Sequence, residues 1–146
     1  MVTRTCASCS AVNRIPPARL SDHGKCGRCK AALPPLAEPL AVTDVASFDA
    51  VIAAATVPVL VDFWAAWCGP CRAVAPEVAQ AARTLAGRAL VIKVDTDQLP
   101  ALAQRYQAHS IPMFIVFRGG RPAFQQAGAV RHAQLVQWVE QSAAAA

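Results

Sequence analysis

Two cysteines with the spacing of a redox pair lie in the motif W-C-G-P-C at residues 67–71. A β-rich run at 57–64 precedes the motif, and 69–86 repeats apolar side chains at helical spacing, so Cys68 is expected at a helix N-terminus. Unpaired N–H groups and the helix dipole stabilise a thiolate there, which lowers a cysteine pKa from ~8.5 to roughly 3.5–7.5. The sequence predicts that Cys68 attacks disulfides and that Cys71, on the same helical face, resolves the mixed disulfide.

The two residues between these cysteines suit a deformable but restrained turn. In a regular helix, Cβ atoms at this spacing are ~5–6 Å apart, against ~3.8 Å in a disulfide. Gly69 supplies the required backbone freedom, and Pro70 restrains φ and lacks an N–H group that the first turn would leave unpaired. A metal knuckle is the alternative, but it would need two more ligands, and the other four cysteines already form a complete set.

A second set of cysteines has metal-ligand spacing. Two C-x2-C pairs, Cys6 with Cys9 and Cys26 with Cys29, are separated by sixteen residues, which fits a four-thiolate zinc module. A segment of ~30 residues buries too little core to fold alone, so a single Zn²⁺ would supply folding free energy. Residues 1–30 hold six Lys/Arg and one Asp, which would offset the net −2 charge of the zinc tetrathiolate.

The N-terminal cysteines leave other arrangements open. They could form two disulfides or remain free thiols, and His23 could replace one sulfur as a ligand. Gly24 and Gly27 are expected to relieve the backbone at the second C-x2-C pair. Whether zinc would be structural or redox-sensing is also open, because oxidation of the thiolates would release the metal.

The chain divides into a small module and one larger domain. Residues 1–32 form the four-cysteine module, 33–40 (LPPLAEPL) a semi-rigid Pro-rich linker, and 41–142 an α/β domain with a central mixed sheet flanked by helices. Residues 40–42 are a candidate for a short first strand. The predicted helices cover 44–55, 69–86, 99–108 and about 131–141, and the predicted strands cover 57–64, 89–95, 113–117 and 122–126.

The composition argues against a secreted disulfide-rich protein and against a membrane protein. Six cysteines in 146 residues are too few for a disulfide-scaffolded secreted domain. No secretory signal is visible, and the longest apolar stretch is too short to span a membrane and contains Asp62. These features predict a cytoplasmic protein that does not interact with membranes. Residues 1–30 contain no aromatic residue, so nucleic-acid binding by base stacking is not expected.

The larger domain resembles the thioredoxin family across residues 40–142. The resemblance is carried by VDFWAAWCGPC (61–71), Pro76, Lys93, Ile111-Pro112 and Gly128, and with the four-cysteine module the chain is similar to the family's zinc-containing thioredoxin 2 type. The resemblance implies a monomeric protein-disulfide reductase that acts on oxidised proteins. It also implies recharging by an NADPH-dependent thioredoxin reductase, since the chain has no nucleotide-binding glycine motif and no organic cofactor is expected.

The resemblance also implies roles for residues around the motif. Strand alternation places Leu60, Asp62 and Trp64 on one face, where burial would raise the pKa of Asp62 and suit it to accept the proton of Cys71. The alternative is a structural Asp62 paired with Lys93, and the two readings are compatible.

The family match further implies a substrate-docking surface. Pro112 matches the family's cis-proline, whose preceding backbone offers a strand edge to an extended substrate. An exposed apolar patch is expected around Cys68. The predicted patch consists of Ala66, Trp67, Ile111, Pro112 and Ala129, and the predicted substrate-binding set adds Gly69, Pro70 and Gly128.

A function of another class remains open. The module would then be a zinc-dependent binding element or a redox-switched chaperone that contacts unfolded chains. Loss of insulin reduction on replacement of Cys68 distinguishes a reductase from such a chaperone.

Overall fold

The computed structural model describes residues 2–144, which form two small antiparallel hairpins followed by a five-stranded mixed sheet with helices on both faces. The strands are β1 (Val2–Thr5), β2 (Val12–Ile15), β3 (Gly24–Lys25), β4 (Ala32–Leu33), β5 (Leu40–Ala41), β6 (Val59–Trp64), β7 (Leu90–Asp95), β8 (Met113–Arg118) and β9 (Arg121–Ala127). The helices are α1 (Val45–Ala54), α2 (Gly69–Thr84), α3 (Pro100–Arg105) and α4 (His132–Ala144), with a short 3-10 helix at Pro17–Arg19.

The large sheet has the strand order β5-β7-β6-β8-β9. Strand β6 lies at its centre, parallel to β7 and antiparallel to β8, and β8 and β9 form the terminal hairpin. Strand β5 pairs in parallel with β7 at the edge, which confirms the short strand near residues 40–42. The predicted mixed sheet and the order of helices and strands are therefore confirmed.

Side chains of β6 alternate between two apolar cores, one on each face of the sheet. Val61 and Phe63 pack with Phe48 of α1 on one face. Leu60 packs with Val78 of α2 on the other face, where α4 also contributes. Because both faces are covered, this central strand is almost continuously apolar, as buried parallel strands are.

Some helix ends are set by neighbouring residues in the sequence, and one is set by a residue of another helix. Helix α1 begins where Asp44 Oδ1 accepts the Ser47 N–H at 2.7 Å. Helix α3 is shorter than predicted because the chain turns at Gln107, which has a φ of 54°. At the start of α4, Glu77 Oε1 accepts the His132 N–H at 3.1 Å, so a side chain of α2 supplies the cap that the sequence around residue 131 lacks.

The N-terminal module shares a core with the sheet domain. Leu20 and Leu36 are buried in the same apolar cluster as Phe48, and the Leu36 N–H donates to the Leu20 carbonyl at 2.9 Å. Segment 33–40 is also held at Pro34, whose carbonyl accepts a hydrogen bond from the guanidinium of Arg4. The division of the chain into domains at this segment stays a prediction.

None of the described helices is long and apolar enough to cross a bilayer.

Replacement of Leu20 by alanine tests the shared core. Leu20 is 1% exposed, so the cavity left in Leu20→Ala should lower the free energy of unfolding by about 2–5 kcal/mol. The measurement is urea denaturation followed by tryptophan fluorescence, because the tryptophans belong to the sheet domain. Val12→Ala is the control, since Val12 is 67% exposed and its truncation should cost no more than about 0.5 kcal/mol. An equally small loss for Leu20→Ala would contradict a shared core.

Candidate redox site and four-cysteine cluster

The Cys68–Cys71 pair lies where the central strand gives way to helix α2. A disulfide joins the two residues, whose Cα atoms are 5.2 Å apart. Cys68 caps α2, and its Sγ accepts the Cys71 N–H at 3.2 Å. The first turn of α2 therefore directs N–H groups and the positive end of its dipole at the sulfur of Cys68, which is the predicted environment for a stabilised thiolate.

A second segment, just before β8, contacts the disulfide from the side. Cys68 Sγ lies 3.7 Å from the carbonyl oxygen of Ile111. The Ile111-Pro112 bond is cis, as the family resemblance implied. The Gly128 N–H donates to the Pro112 carbonyl at 2.8 Å, and Gly128 has a φ of 109°, a conformation that glycine adopts without steric cost. The hairpin end is thus hydrogen-bonded to the segment beside the sulfurs.

The surface around the disulfide is apolar and partly exposed. Trp67 is 67% exposed, whereas Cys68 and Cys71 are 4% and 3% exposed. Ala66, Gly69, Pro70 and Ala129 are exposed, and Ile111 is half-buried. Pro112 is buried, so its expected membership of the exposed patch is wrong.

Asp62 is the buried ionisable group of the central strand. It is 1% exposed and its Oδ1 has no hydrogen-bond partner. Burial raises the pKa of Asp62 to about 7, against a smaller opposing effect of the Lys93 charge. Lys93 is its register partner on β7, but no ion pair within 4.0 Å joins these two described residues. The Nζ atom of Lys93 instead lies 4.5 Å from the centroid of the Trp64 ring.

This burial predicts a pH-dependent stability difference for Asp62→Asn. The pKa is raised from 3.8 to about 7 on folding, so the native state retains the proton longer than the unfolded chain does. The cost of the ionised carboxylate is absent below pH ~4, grows between pH ~4 and ~7, and is complete above pH ~7. Asp62→Asn should therefore be more stable than the wild type at pH 8, by at most roughly 4 kcal/mol, with the difference vanishing near pH 4.

Urea denaturation of the wild type and Asp62→Asn at several pH values checks this prediction. Asp49→Asn is a suitable control, because Asp49 is exposed and pairs with Arg105 on the surface, so its replacement should cost under about 1 kcal/mol. A gap between wild type and Asp62→Asn that does not change with pH would contradict the pKa assignment.

The four N-terminal cysteines lie on two matching loops, each at the tip of a hairpin. The loops are Cys6–Ala11 and Cys26–Ala31, and in each the N–H of the first residue donates to the carbonyl of the last, at 2.9 and 2.8 Å. In each, the N–H two residues after the first cysteine donates to that cysteine's sulfur at 3.4 Å. The left-handed conformations fall at Ser10 and Lys30, with φ of 63° and 66°.

The expectation that glycines relieve the backbone of the second loop is wrong. Gly24 and Gly27 do not adopt positive φ. The left-handed position is the residue after the second cysteine of each pair, where the chain turns back to close the loop. The two loops share one hydrogen-bond pattern, although the left-handed residue is Ser10 in one and Lys30 in the other. The positions of the glycines in the sequence do not predict this similarity.

The sulfur positions fit a tetrahedral zinc ion. All four Sγ atoms lie within 4.8 Å of one another, with Cys6 and Cys29 3.6 Å apart and Cys9 and Cys26 3.7 Å apart. Four sulfurs at ~2.3 Å from Zn²⁺ would be ~3.8 Å apart along each tetrahedral edge. His23 does not belong to this cluster and lines a separate cavity of the module. The described residues hold no other group of three or more His, Cys, Asp or Glu with metal-ligand geometry.

The cysteine pKa values are split as expected for crowded sulfurs. Backbone N–H groups of Cys29 and Arg28 donate to the sulfur of Cys26 and lower its pKa to about 6. At Cys9 a favourable backbone contact from Ala11 is outweighed by burial and the adjacent sulfurs, which raise the pKa to about 12. Four thiolates so close repel one another, and a divalent cation among them would remove that repulsion.

One contact near the redox pair was missed by sequence reasoning. Arg72, the residue after Cys71, donates from Nη1 to the Ala66 carbonyl at 2.8 Å and so holds the loop before Cys68 against the first turn of α2. The only signal in the sequence was a positively charged residue directly after the motif. Its spacing from Ala66 does not indicate that it would donate to that residue's carbonyl.

Together, the sheet topology, the cysteine pair at the start of α2 and the cis-proline opposite define a thioredoxin fold with a dithiol/disulfide site. The family model described as Thioredoxin matches residues 39–141, and the chain belongs to the thioredoxin family. A second model, described as Thioredoxin 2, N-terminal, a zinc ribbon, matches residues 5–31. The chain is therefore a thiol-disulfide oxidoreductase, and members of its family generally work with thioredoxin reductase and disulfide substrates.

Relatives support the same assignment over most of the chain. Thioredoxin C-3 of Corynebacterium nephridii is 38% identical over 136 residues, which cover 93% of this chain and 92% of the relative. Thioredoxin 1 of Chlorobaculum tepidum is 44% identical over 93 residues, covering 64% and 92% of the two chains. Among solved structures, a mutant thioredoxin from Halobacterium salinarum superposes with a TM-score of 0.68 at 32% identity, covering 73% of this chain and 92% of that one.

Proposed function

We propose that this protein reduces disulfide bonds of other proteins, with Cys68 as the attacking and Cys71 as the resolving thiol. The observation that carries the proposal is the position of Cys68: its sulfur accepts an N–H of the first turn of α2 and lies beside an exposed apolar surface. The thiolate is thereby stabilised where a disulfide of another protein can approach. The protein acts as a monomer in the cytoplasm, where reducing conditions suit four N-terminal cysteines that form no disulfide.

The reaction begins with the reduced pair. The Cys68 thiolate attacks one sulfur of the substrate disulfide, forming a mixed disulfide while the other substrate sulfur leaves as a thiolate. Cys71 then attacks the Cys68 sulfur, which releases the second substrate thiolate and closes the Cys68–Cys71 disulfide found in the structure. Two electrons pass to the substrate, and an NADPH-dependent thioredoxin reductase returns them to the pair.

Asp62 accepts the proton that Cys71 loses in the second step. Support comes from its pKa of about 7, close to the working pH of a general base, and from its unpartnered Oδ1. Lys93 lies beside Asp62 in the sheet and stabilises the ionised carboxylate. Both residues thereby act on the resolving step, while the first attack depends on the helix N-terminus.

The substrate segment docks beside Ile111. The backbone of Ile111 lies next to the Cys68 sulfur and offers a short strand edge, and Trp67, Ala66 and Ala129 provide exposed apolar surface around it. Gly69 and Pro70 leave the approach to Cys68 unobstructed because neither carries a long side chain. The hydrogen bond between Pro112 and Gly128 holds the shape of this surface.

Single serine replacements separate the two thiol roles. Cys68→Ser should abolish insulin reduction in the presence of NADPH and a thioredoxin reductase, because the thiolate that attacks the substrate has been removed. Cys71→Ser should accumulate a mixed disulfide with the substrate, because attack occurs without resolution. Nonreducing mass spectrometry detects the adduct. Accumulation of the adduct in Cys68→Ser instead would reverse the roles, and retained activity in Cys68→Ser would favour a chaperone.

We propose further that Cys6, Cys9, Cys26 and Cys29 bind one Zn²⁺. The sulfur distances and the match to a zinc-ribbon model support this assignment. Zinc bound there would supply folding free energy to a segment with too little core of its own. The basic residues around the cluster offset the negative charge of the four thiolates.

Elemental analysis of purified protein tests the metal assignment. The wild type should contain one zinc per chain, and Cys26→Ser should lose most of it, because a tetrahedral site cannot close with three sulfurs and a hydroxyl. Cys71→Ser is the matched control and should retain one zinc, since the redox pair is not part of the cluster. Retention of zinc by Cys26→Ser, or its loss from Cys71→Ser, would contradict the ligand set.

A further inference from the structure

Before a metal binds, noncovalent contacts set the relative position of the two cysteine loops. Each loop carries two of the four sulfurs, and the loops belong to separate two-stranded sheets. The hydrogen bonds that close each loop are internal to it and therefore do not orient one pair of sulfurs against the other. A side chain that contacts both loops can hold the two pairs of sulfurs in the orientation that a single metal ion requires.

Asn13 makes such a bridge. It lies on β2, two residues beyond the first loop, and its Nδ2 lies 3.3 Å from the carbonyl oxygen of Ala11. The same Nδ2 donates to the sulfur of Cys26 at 3.5 Å, and Oδ1 accepts the N–H of Gly27 at 2.9 Å. One side-chain amide thus contacts the closing residue of the first loop, the backbone of the second loop and a sulfur.

The orientation of this amide follows from its partners. The Gly27 N–H can only donate, so the amide oxygen must face it, and the nitrogen then faces the Cys26 sulfur and the Ala11 carbonyl, which both accept. The interaction needs a donor and an acceptor on one short planar group. Aspartate would keep the acceptor toward Gly27 but place a second acceptor against the sulfur.

We infer that Asn13 is a positioning residue of the metal centre, which holds the two cysteine loops in register and donates a hydrogen bond to the Cys26 sulfur. The inference rests on the proposed zinc site. Groups that orient metal ligands from outside the coordination shell typically change metal affinity by ~10–100-fold when removed. Asn13 therefore sets how tightly the cluster binds zinc without itself being a ligand.

Zinc affinity of the full chain tests the inference, measured by competition with a chromogenic chelator. Asn13→Ala and Asn13→Asp should each bind zinc ~10–100-fold more weakly than the wild type. Val12→Ala is the matched control, because Val12 is the preceding residue of β2 and is 67% exposed, and its affinity should equal that of the wild type. Unchanged affinity in both Asn13 variants would overturn the inference.

Cobalt substitution separates positioning from a general effect on folding. Asn13→Asp keeps the acceptor for Gly27 and replaces the nitrogen that faces the Cys26 sulfur and the Ala11 carbonyl with a charged oxygen. This variant therefore tests the loss of the donor even if Asn13→Ala does not fold. The sulfur-to-cobalt charge-transfer band of Asn13→Asp should shift, because a hydrogen bond to a ligand sulfur has been lost. An unchanged band would overturn the positioning role. Absence of zinc from the wild type would instead refute the proposed metal site, so the two failures are distinguishable.

Discussion

The hydrogen bond from the Cys71 N–H to the Cys68 sulfur requires that strand β6 end and helix α2 begin within a few residues of each other. Strand β6 must end just before the motif, and α2 must begin at Gly69, for the sulfur to face the unpaired N–H groups of the first helical turn. Burial of β6 between two apolar cores fixes that junction. The chemistry of the pair therefore depends on the packing of the whole sheet.

Strand β6 also carries the residue proposed as the proton acceptor. The alternation that directs Leu60 into the α2 and α4 core places Asp62 on the same face, where burial raises its pKa to about 7. The destabilising carboxylate of Asp62 lies on the strand that directly precedes the loop carrying Cys68. The buried carboxylate thus lowers the stability of the fold at the position proposed above as the proton acceptor of Cys71.

The N-terminal module depends on two sources of order. Its own buried apolar cluster consists only of Cys6, Cys26 and Leu33, so the hydrogen bonds to the sulfurs carry much of the order inside the module. Through Leu20 and Leu36 it also extends the core of the sheet domain. The proposed binding of zinc by the cysteines would consequently be linked to the stability of the redox domain through shared apolar contacts, since any change that unfolds the module exposes part of that core.

The sequence by itself determined the two cysteine sets, the order of helices and strands, and the burial of Asp62, because these follow from residue spacing and periodicity over a few positions. Only the tertiary structure decided that Glu77 caps α4, that Leu20 and Leu36 join the larger core, and that Pro112 is covered. These contacts join residues distant along the chain, and no local pattern specifies which distant groups packing will bring together.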